Sequence, residues 1–185
     1  MKKHLLFFIS IVFWLQACKE KPEDPYVNDI AVWGEASATK NGLPWTATCG
    51  AASAVSYPGK FIFGINRFNA NNHLRDQLGF RYVPFQEGIY YPLDYPTVYG
   101  ALPDSAMTVD FGTILSDGDV AGDRYVMLHD SAVVLYIDKI DPQTKEFWGR
   151  FSATMIKYIE HQEWDPNSPD TLKFENGRYH AKITR

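Results

Sequence analysis

Cysteine is nearly absent: the 185 residues contain two, Cys18 and Cys49. A disulfide framework of the kind that holds small secreted domains together is therefore excluded. Positive charge is not in excess either. The formal net charge is −4, which argues against nucleic acid as a partner, since phosphates demand a basic surface. No apolar run approaches the roughly 20 residues that a helix needs to cross a bilayer. The sequence also lacks a G-x-S-x-G elbow, an H-E-x-x-H pair, paired-cysteine zinc spacing, a phosphate-cradling glycine loop and a dinucleotide fingerprint. No familiar catalytic motif announces a reaction.

What is present at the start is an address. Lys2 and Lys3 precede the apolar segment Leu5 to Leu15, and Leu15-Gln16-Ala17-Cys18 follows. A positive head, a short apolar stretch and small residues before a cut form a secretory signal. The four residues ending in Cys18 match a bacterial lipobox, so residues 1–17 are expected to be a lipoprotein signal peptide and Cys18 the acylated first mature residue. One acyl chain holds a protein only marginally, whereas two or more anchor it stably. An ordinary secreted protein with a chance cysteine at the cut is the simpler alternative. Residues 18–25, the cysteine followed by Lys19 to Pro25, are charged and carry two prolines, as a flexible tether does. The expected location is the bacterial cell envelope, lipid-anchored at the outer membrane, with the periplasmic or surface-facing side left open.

Cleavage leaves 168 residues and moves the formal charge to −6, enough chain for one domain over 26–185 with a sizeable core. If Cys18 carries lipid, Cys49 has no partner. It sits in "TATCGAAS", among small residues that suit a packed strand, and free cysteine is among the most buried residue types.

The mature chain reads as short strands with almost no helical period. In "AMTVDFG", Met107, Val109 and Phe111 alternate with Thr108 and Asp110; in "RYHAKIT", Tyr179, Ala181 and Ile183 alternate with Arg178, His180, Lys182 and Thr184. Such a two-residue period marks a half-buried strand. "EFWGRFSATMIKYIE" places Phe147, Gly149, Phe151, Ala153 and Met155 on one face and Arg150, Ser152 and Thr154 on the other. Its aromatic and β-branched content favours a strand. Further strands are expected at Val32 to Thr39, Trp45 to Cys49, Phe61 to Phe68, Gln77 to Val83, Arg124 to His129 and Val133 to Ile140, about nine or ten in all. Asn41-Gly42 and Asn176-Gly177 carry the residue pair favoured in tight hairpins. The expectation is an all-β fold: first an antiparallel β-sandwich, second a closed barrel of the lipocalin sort. Segments 88–104 and 160–170 are read as long connections.

The lipobox, "NGLPWTAT", "GRFSATM" and the terminal "FENGRYHAKIT" together resemble small β-rich domains of unknown function found in lipoproteins of Bacteroidota. The resemblance covers most of the mature chain and implies no reaction, cofactor or catalytic residue.

Four groups of residues are candidates for chemistry. Asp117, Asp119 and Asp123 in "SDGDVAGDRY" are spaced by glycines and could offer oxygen ligands to calcium, although the spacing is not that of an EF-hand and a solvated acidic hairpin explains it as well. Tyr90, Tyr91, Tyr95 and Tyr99 lie among prolines and, with Trp164, could form an aromatic platform for a sugar or a protein; packing over one end of the fold is the plainer account. Glu160, Glu163, Asp165 and Asp170 could in principle supply the carboxylate pair of a glycan hydrolase, or simply line a solvated loop. His129, Asp130 and Ser131 are consecutive, which a strand would direct to opposite faces, against the needs of a triad. The reading reached from sequence is a lipid-anchored envelope protein, a binding module for a glycan or a protein partner, with no catalytic residue and no cofactor apart from the calcium option. A structural or assembly protein without a small ligand and a carboxylate-dependent glycan hydrolase are the alternatives.

Overall fold

The alternation of apolar and polar residues is realised as strands throughout. A computed structural model describes residues 32–94, 106–115, 120–129, 131–158 and 165–184. Among these residues there is no helix, and eleven strands form one sheet. In chain order they are β1 (Val32–Lys40), β2 (Leu43–Ser53), β3 (Lys60–Phe68), β4 (Leu74–Pro84), β5 (Gly88–Tyr90), β6 (Leu93–Asp94), β7 (Thr108–Ile114), β8 (Ala121–Met127), β9 (Val133–Asp141), β10 (Glu146–Lys157) and β11 (Thr171–Lys182).

The Asn41-Gly42 pair works as the sequence suggests. Both residues take positive φ, 50° and 78°, and Lys40 pairs directly with Leu43, the geometry of a two-residue hairpin. The Asn176-Gly177 pair does not. β11 runs through it without reversing, and the left-handed Asn176 sits at a bulge where the pairing with β10 shifts between Phe151 and Ala153. A residue that tolerates positive φ suits a bulge as well as a turn.

Pairing follows chain order. β1 to β4 are joined edge to edge, then β7, β8, β10 and β11, and β11 returns to pair with β1. The sheet thus closes as an eight-stranded up-and-down barrel, the lipocalin-like alternative, in place of the sandwich expected first. The reason lies in β11, which bonds β10 along one edge and β1 along the other. Closure leaves no open edge at that seam, whereas two stacked sheets would leave four. β8 and β9 lie end to end along the same edge of β10, β8 opposite Met155–Lys157 and β9 opposite Glu146–Ala153. Segment 88–94, expected as loop, contributes β5 against β9 and the parallel β6 against β7.

The inward faces fill the barrel with aromatic rings. Phe63 stacks on Phe80 with centroids 5.9 Å apart, while Phe147 meets Phe63 edge-on at 5.3 Å. Trp45 and Phe174 make another edge contact at 5.1 Å. Edge-to-face and offset arrangements at such spacings are the favourable ones for aromatic quadrupoles. This packing is what places function outside: the barrel wall, and the polar rim above the rings, are the surfaces left for chemistry.

Candidate functional site

Strand parity sets up the outer face. In β10, Phe147, Gly149 and Phe151 turn inward, so Trp148 and Arg150 turn outward; in β11, Tyr179 and Ala181 turn inward, so Arg178 and His180 turn outward. Antiparallel register then aligns the outward residues into two rows. One row runs Thr46, Ser37, Arg178, Arg150, Tyr136 and Ile89 across six strands. The other runs Thr48, Glu35, His180, Trp148 and Lys139. Between and along them lies a groove of ≈ 750 Å³, with Ala36, Ala47 and Gly149 at its base.

Each row has its own electrostatic logic. The Lys139 ammonium lies 4.9 Å from the Trp148 ring centre, Trp148 stacks on His180 at 4.4 Å, and His180 meets the edge of Trp33 at 5.0 Å. Lys182 then lies 5.6 Å from the Trp33 ring. The ring of Trp148 is therefore flanked by Lys139 and His180 and forms a wall of the groove, held by cation–π and stacking contacts. Glu146 Oε2 is 3.1 Å from His180 Nε2 and fixes the imidazole. In the second row, Arg150 donates two hydrogen bonds to Asp138, at 2.9 and 2.8 Å, while its guanidinium lies 4.5 Å from the Tyr136 ring. The bond from Arg150 holds the Asp138 carboxyl below its usual range. Arg178, directly opposite Arg150 and exposed, makes no ion pair among the described residues.

The base of the groove depends on one glycine. The Tyr179 hydroxyl donates to the Tyr136 carbonyl at 2.7 Å, and a Cβ on Gly149 would collide with both groups. Only glycine lets the two strands and the tyrosine meet there. Burial pushes the Tyr179 hydroxyl far above the usual phenol range, so it remains a donor.

A second concavity, ≈ 390 Å³, lies at the barrel rim. Asp76 is fully buried there and its Oδ2 accepts from Arg67 Nε at 2.7 Å and from Lys40 Nζ at 3.4 Å. Lys40 is held over the rings of Phe111 and Phe174, at 4.8 and 5.6 Å. Burial lowers its pKa, with the Asp76 charge acting against that shift. The arrangement closes the top of the aromatic core with a charged layer.

The residues singled out from sequence scatter. Tyr90 is half-buried against the core and donates its hydroxyl to the Gln86 carbonyl at 2.7 Å, whereas Tyr91 is 59 % exposed. Tyr95, Tyr99, Trp164, Cys18, Asp117, Asp119, Glu160 and Glu163 lie outside the described residues. Tyr90 pairs with Leu135 of β9, in register with Phe151 of β10, whereas the Asp170 carbonyl accepts from the Lys157 amide six residues further along β10. Asp123 is buried in strand β8 and does not belong to a loop. Among the described residues no group of three or more His, Cys, Asp or Glu could hold a metal ion. Asp165 and Asp170 are exposed, and Asp165 Oδ1 is engaged by the Asn167 amide at 2.9 Å. His129 and Ser131 are exposed in a tight turn, Ser131 with φ of 68°. Cys49 is fully buried and burial pushes its thiol up to about 12, which makes it a core side chain.

Sequence reasoning missed the groove. The available signal was Trp148, an aromatic on the same parity as Arg150, Ser152 and Thr154; a large ring on the polar face of a strand asks for an outside partner. No protein-family model, no curated protein and no solved structure matches this chain.

Proposed function

We propose that this protein is a lipid-anchored envelope lipoprotein whose barrel serves as a binding module for a glycan, held in the outer groove across β2, β1, β11, β10 and β9. The single observation that carries the reading is the lining of that groove: hydroxyls of Ser37, Thr46 and Thr48, the carboxylate of Glu35, two guanidiniums, and the indole of Trp148 along one continuous surface. A polyhydroxylated chain needs many donors and acceptors beside an apolar edge, and this groove offers them in register. The packed interior supports the same reading, because the aromatic rings occupy the space in which a barrel of this kind would take a ligand.

The lipid anchor enters through Cys18, and the tether then carries the barrel clear of the membrane. The hydrolase alternative draws no support from Asp165 or Asp170, which point into solvent. The test is capture of the full chain, in detergent, on an array of neutral and acidic oligosaccharides, beside Thr46→Trp. The new indole would fill the groove from an exposed position without touching the core. Capture lost in a still-folded Thr46→Trp protein and kept in Tyr91→Ala places the ligand in the groove; capture unaffected by Thr46→Trp refutes that placement. The anchor is tested separately: Cys18→Ser should abolish incorporation of an alkyne fatty acid and release the protein from membranes.

A further inference from the structure

The groove contains an electrostatic arrangement that neutral sugars do not need. Arg150 and Arg178 stand directly opposite each other on neighbouring strands. Like charges in that relation repel, and sheets avoid them unless something compensates. The carboxylate bonded to this pair is Asp138, and both its oxygens are spent on Arg150. Arg178 adds only a longer-range contribution to the Asp138 carboxyl. Its guanidinium is exposed and forms no ion pair among the described residues.

The other charges around the groove offset it only in part. Glu146 is occupied by His180, whereas Glu35 lines the same groove on the strand beside Arg178 and its carboxylate forms no ion pair among the described residues. Lys139 and Lys182 add positive charge along the aromatic row. Counting Arg150, Arg178, Lys139 and Lys182 against Glu35, Asp138 and Glu146, this face keeps one positive charge on a chain whose formal net charge is −4.

We infer that the groove selects an acidic glycan, and that Arg178 is the residue that pairs with the carboxylate or sulfate on its saccharide. The inference rests on the glycan reading above and narrows its ligand class. Arg150, clamped by Asp138, holds the second positive charge at a fixed place beside the same oxyanion. The planar fork of Arg178 is suited to two parallel hydrogen bonds with a planar carboxylate or with two sulfate oxygens. The hydroxyls of Ser37 and Thr46, in the same row, are placed for the neighbouring sugar hydroxyls. Trp148 and His180 bound the other side, where the chain's apolar edge would rest.

The test uses the full chain in detergent against four immobilised probes: polygalacturonate, its fully methyl-esterified form, chondroitin sulfate and dextran. The ester keeps the sugar backbone and removes the charge. Binding to at least one acidic probe, at least tenfold weaker binding to the ester and dextran, and a decline with added salt are expected. Arg178→Gln should weaken acidic-probe binding by about tenfold or more, with Arg178→Lys intermediate. Lys173→Gln removes the same charge from β11 at an exposed position outside the groove, paired to Glu175, and should bind as the parent does. Equal binding to ester and acid, or no difference between Arg178→Gln and Lys173→Gln, overturns the acidic class and leaves a neutral glycan as the ligand. Absence of binding to all four probes overturns the inference and the glycan reading together. Arg178 is exposed, so loss of fold is not expected in its variants; unchanged melting confirms that a binding loss is local.

Discussion

Replacing Asp76 by alanine tests the charged layer at the rim. Asp76 is buried, and two cations depend on it unequally. The Arg67 side chain is 46 % exposed and can turn into water; the Lys40 side chain is 19 % exposed and lies over two phenyl rings. Removing one partner of a buried ion pair typically costs about 3–5 kcal/mol, because the other charge stays buried without compensation. Since only Lys40 is trapped, the lower end is expected, about 3 kcal/mol. For a domain of this size that is roughly 6–12 °C in Tm. Lys40→Met with Asp76→Leu removes both charges and leaves apolar groups beside Phe111 and Phe174; it should lie within about 1 kcal/mol of the parent. The pH dependence has a definite sign. Lys40 is held below the usual lysine range by burial, and Asp76 opposes that shift. Without the carboxylate, folded Lys40 gives up its proton at lower pH than the unfolded chain does. Stability of Asp76→Ala should then rise as the pH increases toward about pH 10, where unfolded lysine begins to titrate, and its deficit should shrink. Urea unfolding across that range measures both effects. A loss under about 1 kcal/mol, or a double variant no better than Asp76→Ala, would refute the reasoning.

Other outcomes follow from single side chains. Burial raises the Asp110 carboxyl above its usual range despite Arg81 at 3.8 Å; the folded state therefore binds that proton more tightly, and stability falls as pH rises past the ordinary carboxylate value. Asp110→Asn should raise Tm at neutral pH and lose the advantage near about pH 3; a lowered Tm at neutral pH would mean that the ion pair with Arg81 outweighs burial. Gly149→Ala should cost about 3 kcal/mol or more, combining a clash within the wall with loss of the Tyr179–Tyr136 hydrogen bond; denaturant unfolding reads it, and a near-neutral result would show that the strands can separate there. Cys49 should resist iodoacetamide at about pH 8 in the native protein and react on unfolding, because its thiol is buried and its pKa is pushed up to about 12. Rapid native labelling would show that β2 opens locally.

Much of the fold is present in local pattern. The two-residue period of β7, β10 and β11 states which side chains face inward, and Asn41-Gly42 states where one hairpin turns. The same reasoning misplaced Asn176-Gly177, since positive φ is equally at home in a bulge, and the choice between turn and bulge belongs to the partner strand. It also passed over β5 and β6, whose few residues become strands only because β9 and β7 offer edges to them. The candidate site was the least legible part. Clustered tyrosines and aspartates draw attention because they are close in sequence, yet the groove is assembled from residues as far apart as Glu35 and His180, joined by register alone.

The sequence by itself determined that the chain makes strands, which faces are apolar, that Cys49 has no disulfide to form within the barrel, and that no familiar catalytic motif is present. These are consequences of composition and of periods two residues long. Only the tertiary structure decided that the strands close on themselves and that aromatic rings fill the inside. It alone set Arg150 opposite Arg178 in the wall. Closure depends on both edges of β11 finding partners more than 100 residues apart in the chain for one edge and close at hand for the other, and pairing over such separations leaves no local trace in the residues that make it.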